Sequence, residues 1–185
     1  PTTGGSARPH GGEAYVRQSP RCGSRVDAIP DVKLVFENSD GAWENGRNVR
    51  ARRNMLRASF CAGCAFSKSY VGYVHAIAHS LGGEYNVPHG LANAVILPMM
   101  LEAYGKKIDR KLARLAIAAG LADEHTPCGE AAARFIREIK EMKKRFGIGD
   151  RIPEIQEKDI PRLARYADRE DNPLYPVPVL MDAGE

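Results

Sequence analysis

Three of the five histidines lie within one short stretch, VHAIAHSLGGEYNVPHG, running from Val74 to Gly90. His75 and His79 are four residues apart. On a helix that spacing puts both on one face, about 6 Å apart along the axis. Gly82-Gly83 then lets the chain reverse, and His89 follows Pro88 at the start of what reads as the next helix. Neutral imidazole suits Zn, Fe, Co and Ni, and three such ligands with an open position make a catalytic site rather than a closed structural one. The H-E-x-x-H pattern of metal hydrolases is not met, because Ala76 stands where the glutamate base would be. Spacing alone leaves three arrangements open. All three rings bind a metal, or two bind and one handles protons, or the stretch is a helical hairpin that happens to be rich in histidine.

The elements that must position these rings read as helices. Asn48 to Phe66 carries Leu56, Phe60 and Cys64 at a spacing of four, with Met55, Ala58 and Ala62 beside them. Ser69 to Leu81 is the next helix, stopped by Gly82-Gly83. The third runs from His89 to Tyr104 with Pro98 as an internal kink point. Lys107 to Ala119 stops at Gly120, and a cap at Thr126-Pro127 opens a helix whose apolar stripe is Phe135, Ile136, Ile139, Met142 and Phe146. Asp159-Ile160-Pro161 opens a last short helix through Tyr166. No β-strand alternation recurs, so an all-α domain is expected over residues 46–185. Residues 1–45 read as a loose or spliced segment, because glycine and proline crowd Pro1 to Gly12 and Pro30 interrupts the helical pattern from Arg25 to Phe36.

Bulk composition narrows the class. Of the 185 residues, 43% are hydrophobic and 27% charged, enough to bury a core under a normal polar surface. A net charge of +4 is too small to imply nucleic acid, and the basic stretches sit at helical spacing as solvated faces. The apolar run Ala94 to Leu101 is far shorter than a membrane span. The four cysteines, Cys22, Cys61, Cys64 and Cys128, make no disulfide framework. Cys61-Ala-Gly-Cys64 lacks a second pair to complete a zinc site and reads as a buried, inert helix pair. A reduced, cytoplasmic protein follows as the expectation.

The stretch AGCAFSKSYVGYVHAIAHSLGGEYNVPHGLANAVILP, Ala62 to Pro98, resembles the metal-binding core of the iron-containing (group III) alcohol dehydrogenases. The A-H-x-x-G step at Ala78 to Gly82 and the P-H-G-x-x-x-A step at Pro88 to Ala94 fall in that family's order and spacing. Weaker similarity extends through EKDIPRLARYA and NPLYPVPVLM. The resemblance implies the helical C-terminal domain of the dehydroquinate synthase-like, iron alcohol dehydrogenase architecture, here without the N-terminal α/β nucleotide-binding domain. It implies a metal-dependent oxidoreductase that moves hydride between a small alcohol or aldehyde and NAD(P), with Fe²⁺ or Zn²⁺ polarising the oxygen. It implies neither a nucleic-acid nor a membrane partner, and it allows a homodimer.

Residue by residue, the resemblance implies metal ligands at His75 and His89. His79 matches a histidine of the cleft that is not a ligand and handles substrate protons. HGGEAYV, from His10 to Val16, is similar to the second half of the family's D-x-x-x-H-x-x-E-A-Y pattern and implies a further ligand at His10. Ser6 stands where the pattern has its aspartate ligand. PTTGGSA is similar to the family's cofactor-contacting segment, which implies cofactor binding at Thr2 and Thr3. These two segments, well separated in the family, are fused here. The alternative to a dehydrogenase is a non-catalytic helical metal-binding or interaction module derived from one.

Overall fold

The computed structural model describes residues 22–67, 72–171 and 177–184. Among them the regular elements are helices: α1 (Cys22–Glu44), α2 (Val49–Ser67), α3 (Tyr73–Tyr85), α4 (His89–Tyr104), α5 (Asp109–Ala118), α6 (Cys128–Arg145) and α7 (Ile160–Asp171), with 3₁₀ turns at Gly105–Ile108 and Glu157–Asp159. The all-α class is as expected. No helix among the described residues is long and apolar enough to cross a membrane.

Helix α1 differs from the expectation of loose chain across residues 1–45. It continues through Pro30, which costs about 3 kcal/mol in a helix interior. Burial offsets that cost: Val32 joins the main core, Phe36 packs against it, and Val35 meets Met55 and Ala58 of α2. The turn between the two helices is set by asparagines. The Asn45 side chain accepts from the Arg47 amide at 2.9 Å, and the Asn48 side chain accepts from the Ala51 amide at 3.0 Å as the cap of α2.

The buried stripe of α2 is Ala51, Met55, Ala58 and Ala62, whose three alanines let α1 approach closely. Leu56 and Phe60, which the four-residue spacing groups with the core, face solvent instead, and Phe60 is 70% exposed. Both stripes have helical period, so periodicity alone does not choose between them. The alanine stripe is the one that fits against α1.

The principal core is built from α3, α4, α5 and α6, with Leu101, Ile108, Leu112 and Leu115 at its centre. A second cluster carries α7: Leu163 shares it with Ala78 and Leu81 of α3 and with Ala92 and Val95 of α4. Each apolar side chain of this size stabilises the fold by about 1.5–3 kcal/mol when buried. The last described segment is tied down by Tyr73, whose hydroxyl donates to the Met181 carbonyl and accepts from the Met181 amide, both at 2.9 Å.

Local boundaries depart from expectation in three places. Helix α3 runs through Gly82-Gly83 and ends at Asn86, whose φ of 53° places it in the left-handed region and whose amide caps the Gly82 carbonyl. Asparagine tolerates that region, so the paired glycines are not needed to stop the helix. Helix α6 starts after Pro127 without a side-chain cap; Thr126 bonds back to Asp123 in the preceding turn. Helix α7 extends five residues beyond Tyr166, to Asp171.

Candidate functional site

Helix α3 carries His75 and His79 one turn apart, and the short link through Val87 and Pro88 returns the chain so that α4 opens on His89. Val87 is buried among Ala78, Leu81 and Leu163, which pins the link. The three imidazoles therefore converge. Ring centroids are 5.4 Å apart for His75 and His89, 5.3 Å for His79 and His89, and 6.2 Å for His75 and His79.

The rings differ in setting. His75 is 2% exposed, inside the helix packing, whereas His79 and His89 are exposed. His75 and His89 are tilted by 52°, and His79 stacks on His89 at 19°. Two imidazoles sharing one ion through bonds of about 2.1 Å, at a tetrahedral angle, have centroids roughly 5 Å apart. The tilted His75–His89 pair and the stacked His79–His89 pair both meet that separation, so only ring orientation distinguishes them. A near-parallel stack does not aim in-plane lone pairs at one point, so His79 is the ring least suited to share an ion with its neighbour.

Two partners of these histidines fall outside the residues singled out from the sequence. Asn93 is fully buried, four residues after His89 on α4; its Nδ2 lies 2.8 Å from His89 Nε2 and 3.0 Å from the His89 carbonyl oxygen, donating to both. An amide donor at Nε2 requires a lone pair there, so the neutral His89 ring carries its proton on Nδ1. That is the form in which Nε2 could be offered to a metal in place of the amide proton. Glu170 of α7 is the second partner, with Oε1 2.7 Å from Nδ1 of His79.

The packing of α3 on α7 is fixed beside the site by polar contacts. Arg162 donates to both carboxylate oxygens of Glu84, at 2.8 and 2.6 Å, and to Asp159 at 3.0 Å. Tyr85 donates to Asp159 Oδ2 at 2.6 Å. The Tyr85 hydroxyl and then the Arg162 guanidinium hold the Asp159 carboxyl below the usual carboxylate range; the same bond pushes the Tyr85 phenol up.

His75, His79 and His89 are thus brought together as their spacing implies. Among the described residues, no three His, Cys, Asp or Glu side chains are placed to hold a metal ion. His10, Thr2 and Thr3, and with them Ser6, lie outside the described residues. The donor set present, two imidazoles at a fitting separation, suits a zinc-like or iron-like ion that takes its remaining ligands elsewhere. Cys61 is half-buried rather than buried, Cys128 is exposed at the start of α6, and the Cys64 side chain lies outside the described set.

Residues 2–183 match the C-terminal model of the Fe-containing alcohol dehydrogenase family, and the chain belongs to that family. It is 35% identical over 172 residues to a 1,3-propanediol dehydrogenase of Citrobacter freundii, an alignment covering 92% of this chain and 44% of that protein. Its fold superimposes on the crystal structure of a 1,3-propanediol oxidoreductase with a TM-score of 0.91 and 31% identity, covering 99% of this chain and 48% of the other. An alcohol dehydrogenase from Oenococcus oeni gives a TM-score of 0.90 at 30% identity, over 98% and 48%. The chain spans about half the length of the relatives it matches.

Proposed function

We propose that this chain is the helical, metal-binding half of an alcohol dehydrogenase that interconverts a small alcohol and its aldehyde or ketone with NAD(P). The observation that carries the reading is the convergence of His75, His79 and His89 within ring separations of 5.3–6.2 Å. His75 and His89 would hold the metal together with His10, and Thr2 and Thr3 would contact the cofactor. When bound, the metal would supply Lewis-acid stabilisation of the alcohol oxygen and the nicotinamide would supply the hydride acceptor.

The chain's own residues divide the remaining work. Buried His75 fixes one ligand on the rigid interior of α3. His89 offers the Nε2 lone pair that the Asn93 amide otherwise engages. His79, at the exposed end of the histidine cluster, accepts the proton that an alcohol must lose as it gives up hydride. A cytoplasmic location accords with the four cysteines, whose spacing makes no disulfide framework.

Ser6 favours a second reading, a metal-binding module without turnover. A neutral serine oxygen replaces the negative carboxylate that the family pattern places there, and three neutral imidazoles hold Zn²⁺ more firmly than Fe²⁺. Calorimetry with each metal and with NAD(H), beside an activity assay over short alcohols, separates the two. The chain alone is expected to bind zinc in preference to iron and to show no NAD(H)-dependent oxidation, whereas a complete enzyme carrying it turns over. A complete enzyme that binds metal and cofactor yet oxidises no alcohol would leave the module reading standing.

A further inference from the structure

We propose that Glu170 is a positioning residue for His79: it accepts a hydrogen bond from Nδ1–H and so fixes the imidazole tautomer that leaves Nε2 bare to accept a proton. The inference rests on the reading of His79 as the proton-handling residue, although the pairing itself rests on geometry alone.

The contact is 2.7 Å from Nδ1 to Oε1, in the range of hydrogen bonds that involve an ionised partner. An ionised carboxylate can only accept, so Nδ1 must be the donor. A neutral imidazole has one N–H, and with that proton on Nδ1 the lone pair sits on Nε2. Glu170 is thereby the counterpart of the carboxylate that orients a catalytic histidine in hydrolytic triads, a role recognised by geometry and not by sequence position.

The pair is not explained as a stabilising contact. Its side chains are 46% and 31% exposed, and ion pairs so exposed contribute about 0–1 kcal/mol. Other contacts already dock α7 onto α3: Leu163 against Ala78 and Leu81, and the bidentate Arg162–Glu84 pair. Glu170 is about two turns beyond both, near the end of the helix, where its reach places the carboxylate beside the histidine cluster. In the proposed step the alcohol O–H bond breaks, its proton bonds to Nε2 of His79, and the Nδ1 proton stays in place against Glu170. No other proton moves within the pair.

The test is long-range ¹H–¹⁵N correlation of the histidine rings in the ¹⁵N-labelled full chain at about pH 8, above the ordinary histidine range. His79 is expected to show a protonated Nδ1 and an unprotonated Nε2. Glu170→Ala should move the proton toward Nε2, and Glu170→Gln, whose amide oxygen still accepts, should keep the original pattern. Arg162→Gln loosens the α7 docking without touching the pair and should also keep it. An unprotonated Nδ1 in the parent chain, or an identical pattern in Glu170→Ala, would overturn the proposal. In a complete enzyme carrying this half, Glu170→Ala should lower kcat roughly ten- to a hundredfold with KM little changed. A tautomer switch with unchanged kcat would overturn the proton-handling reading of His79 and leave its pairing with Glu170 intact.

Discussion

The imidazoles of His75 and His89 lie with centroids 5.4 Å apart, one ring enclosed in α3 and the other standing at the open head of α4. If this tilted pair holds the ion and the stacked His79 does not, His75→Ala and His89→Ala should each strip bound metal. His79→Ala should leave metal content near that of the parent protein while lowering turnover of a complete enzyme. Elemental analysis after dialysis reads the first and steady-state kinetics the second. Equal metal loss in all three variants would refute the division of labour.

The two faces of α2 predict opposite responses to substitution. Ala58 is fully buried against Val35 and Met55, so Ala58→Leu overpacks the α1–α2 seam and should cost about 1–3 kcal/mol. Phe60→Ser removes a side chain that touches mostly solvent and should change stability by less than about 0.5 kcal/mol. Urea titration followed by circular dichroism measures both. A large loss at Phe60 would mean that the alanine stripe is not the packing face.

Thiol labelling should follow exposure. Cys128 at the head of α6 is exposed and Cys61 half-buried, so Cys128 should react first with an aromatic disulfide reagent. Cys128→Ser should remove one thiol from the fast phase, and Cys61→Ser should remove one from a slower phase. Loss of the fast phase in Cys61→Ser would reverse that order.

Acid should weaken the α3–α7 docking. Asp159 is held below its ordinary value by the Tyr85 hydroxyl and then by Arg162. A depressed folded-state value contributes stability that is present above the unfolded value, about 3.9, and is lost as pH falls through the folded value. Stability should therefore decline below about pH 4, and Tyr85→Phe, which removes the first cause, should shrink that decline. Thermal melts between pH 3 and pH 7 test it. An unchanged acid slope in Tyr85→Phe would show that Arg162 alone sets the shift.

The helices and the histidine cluster were legible for a local reason. Spacings of four, a reversing link and a proline at a helix head are all encoded within one stretch, so Val74 to Gly90 specifies its own hairpin. The burial face of α2 was not legible, because Leu56 and Phe60 share a helical period with the alanines and only the close approach of α1 decides between them. Pro30 gave a strong local signal that α1's packing on α2 and the core outweighs. Asn93 was within reach, lying four residues beyond His89 on the same helix. Glu170 was not, since nothing in its neighbourhood distinguishes it from the other acids of a charged helix end.

That last contrast bears on the order in which the molecule assembles. His75 and His89 belong to one helical hairpin, whose closure costs little chain entropy, whereas His79 and Glu170 are 91 positions apart. Contacts between sequence neighbours form early and distant ones wait on the folding of all that lies between. Helix α7 belongs to the smaller cluster rather than the principal core, and its pair with His79 is partly exposed, so its opening disrupts few buried contacts. During refolding the imidazole pair should therefore take shape before the carboxylate arrives, and under mild denaturation the carboxylate should be the first to leave.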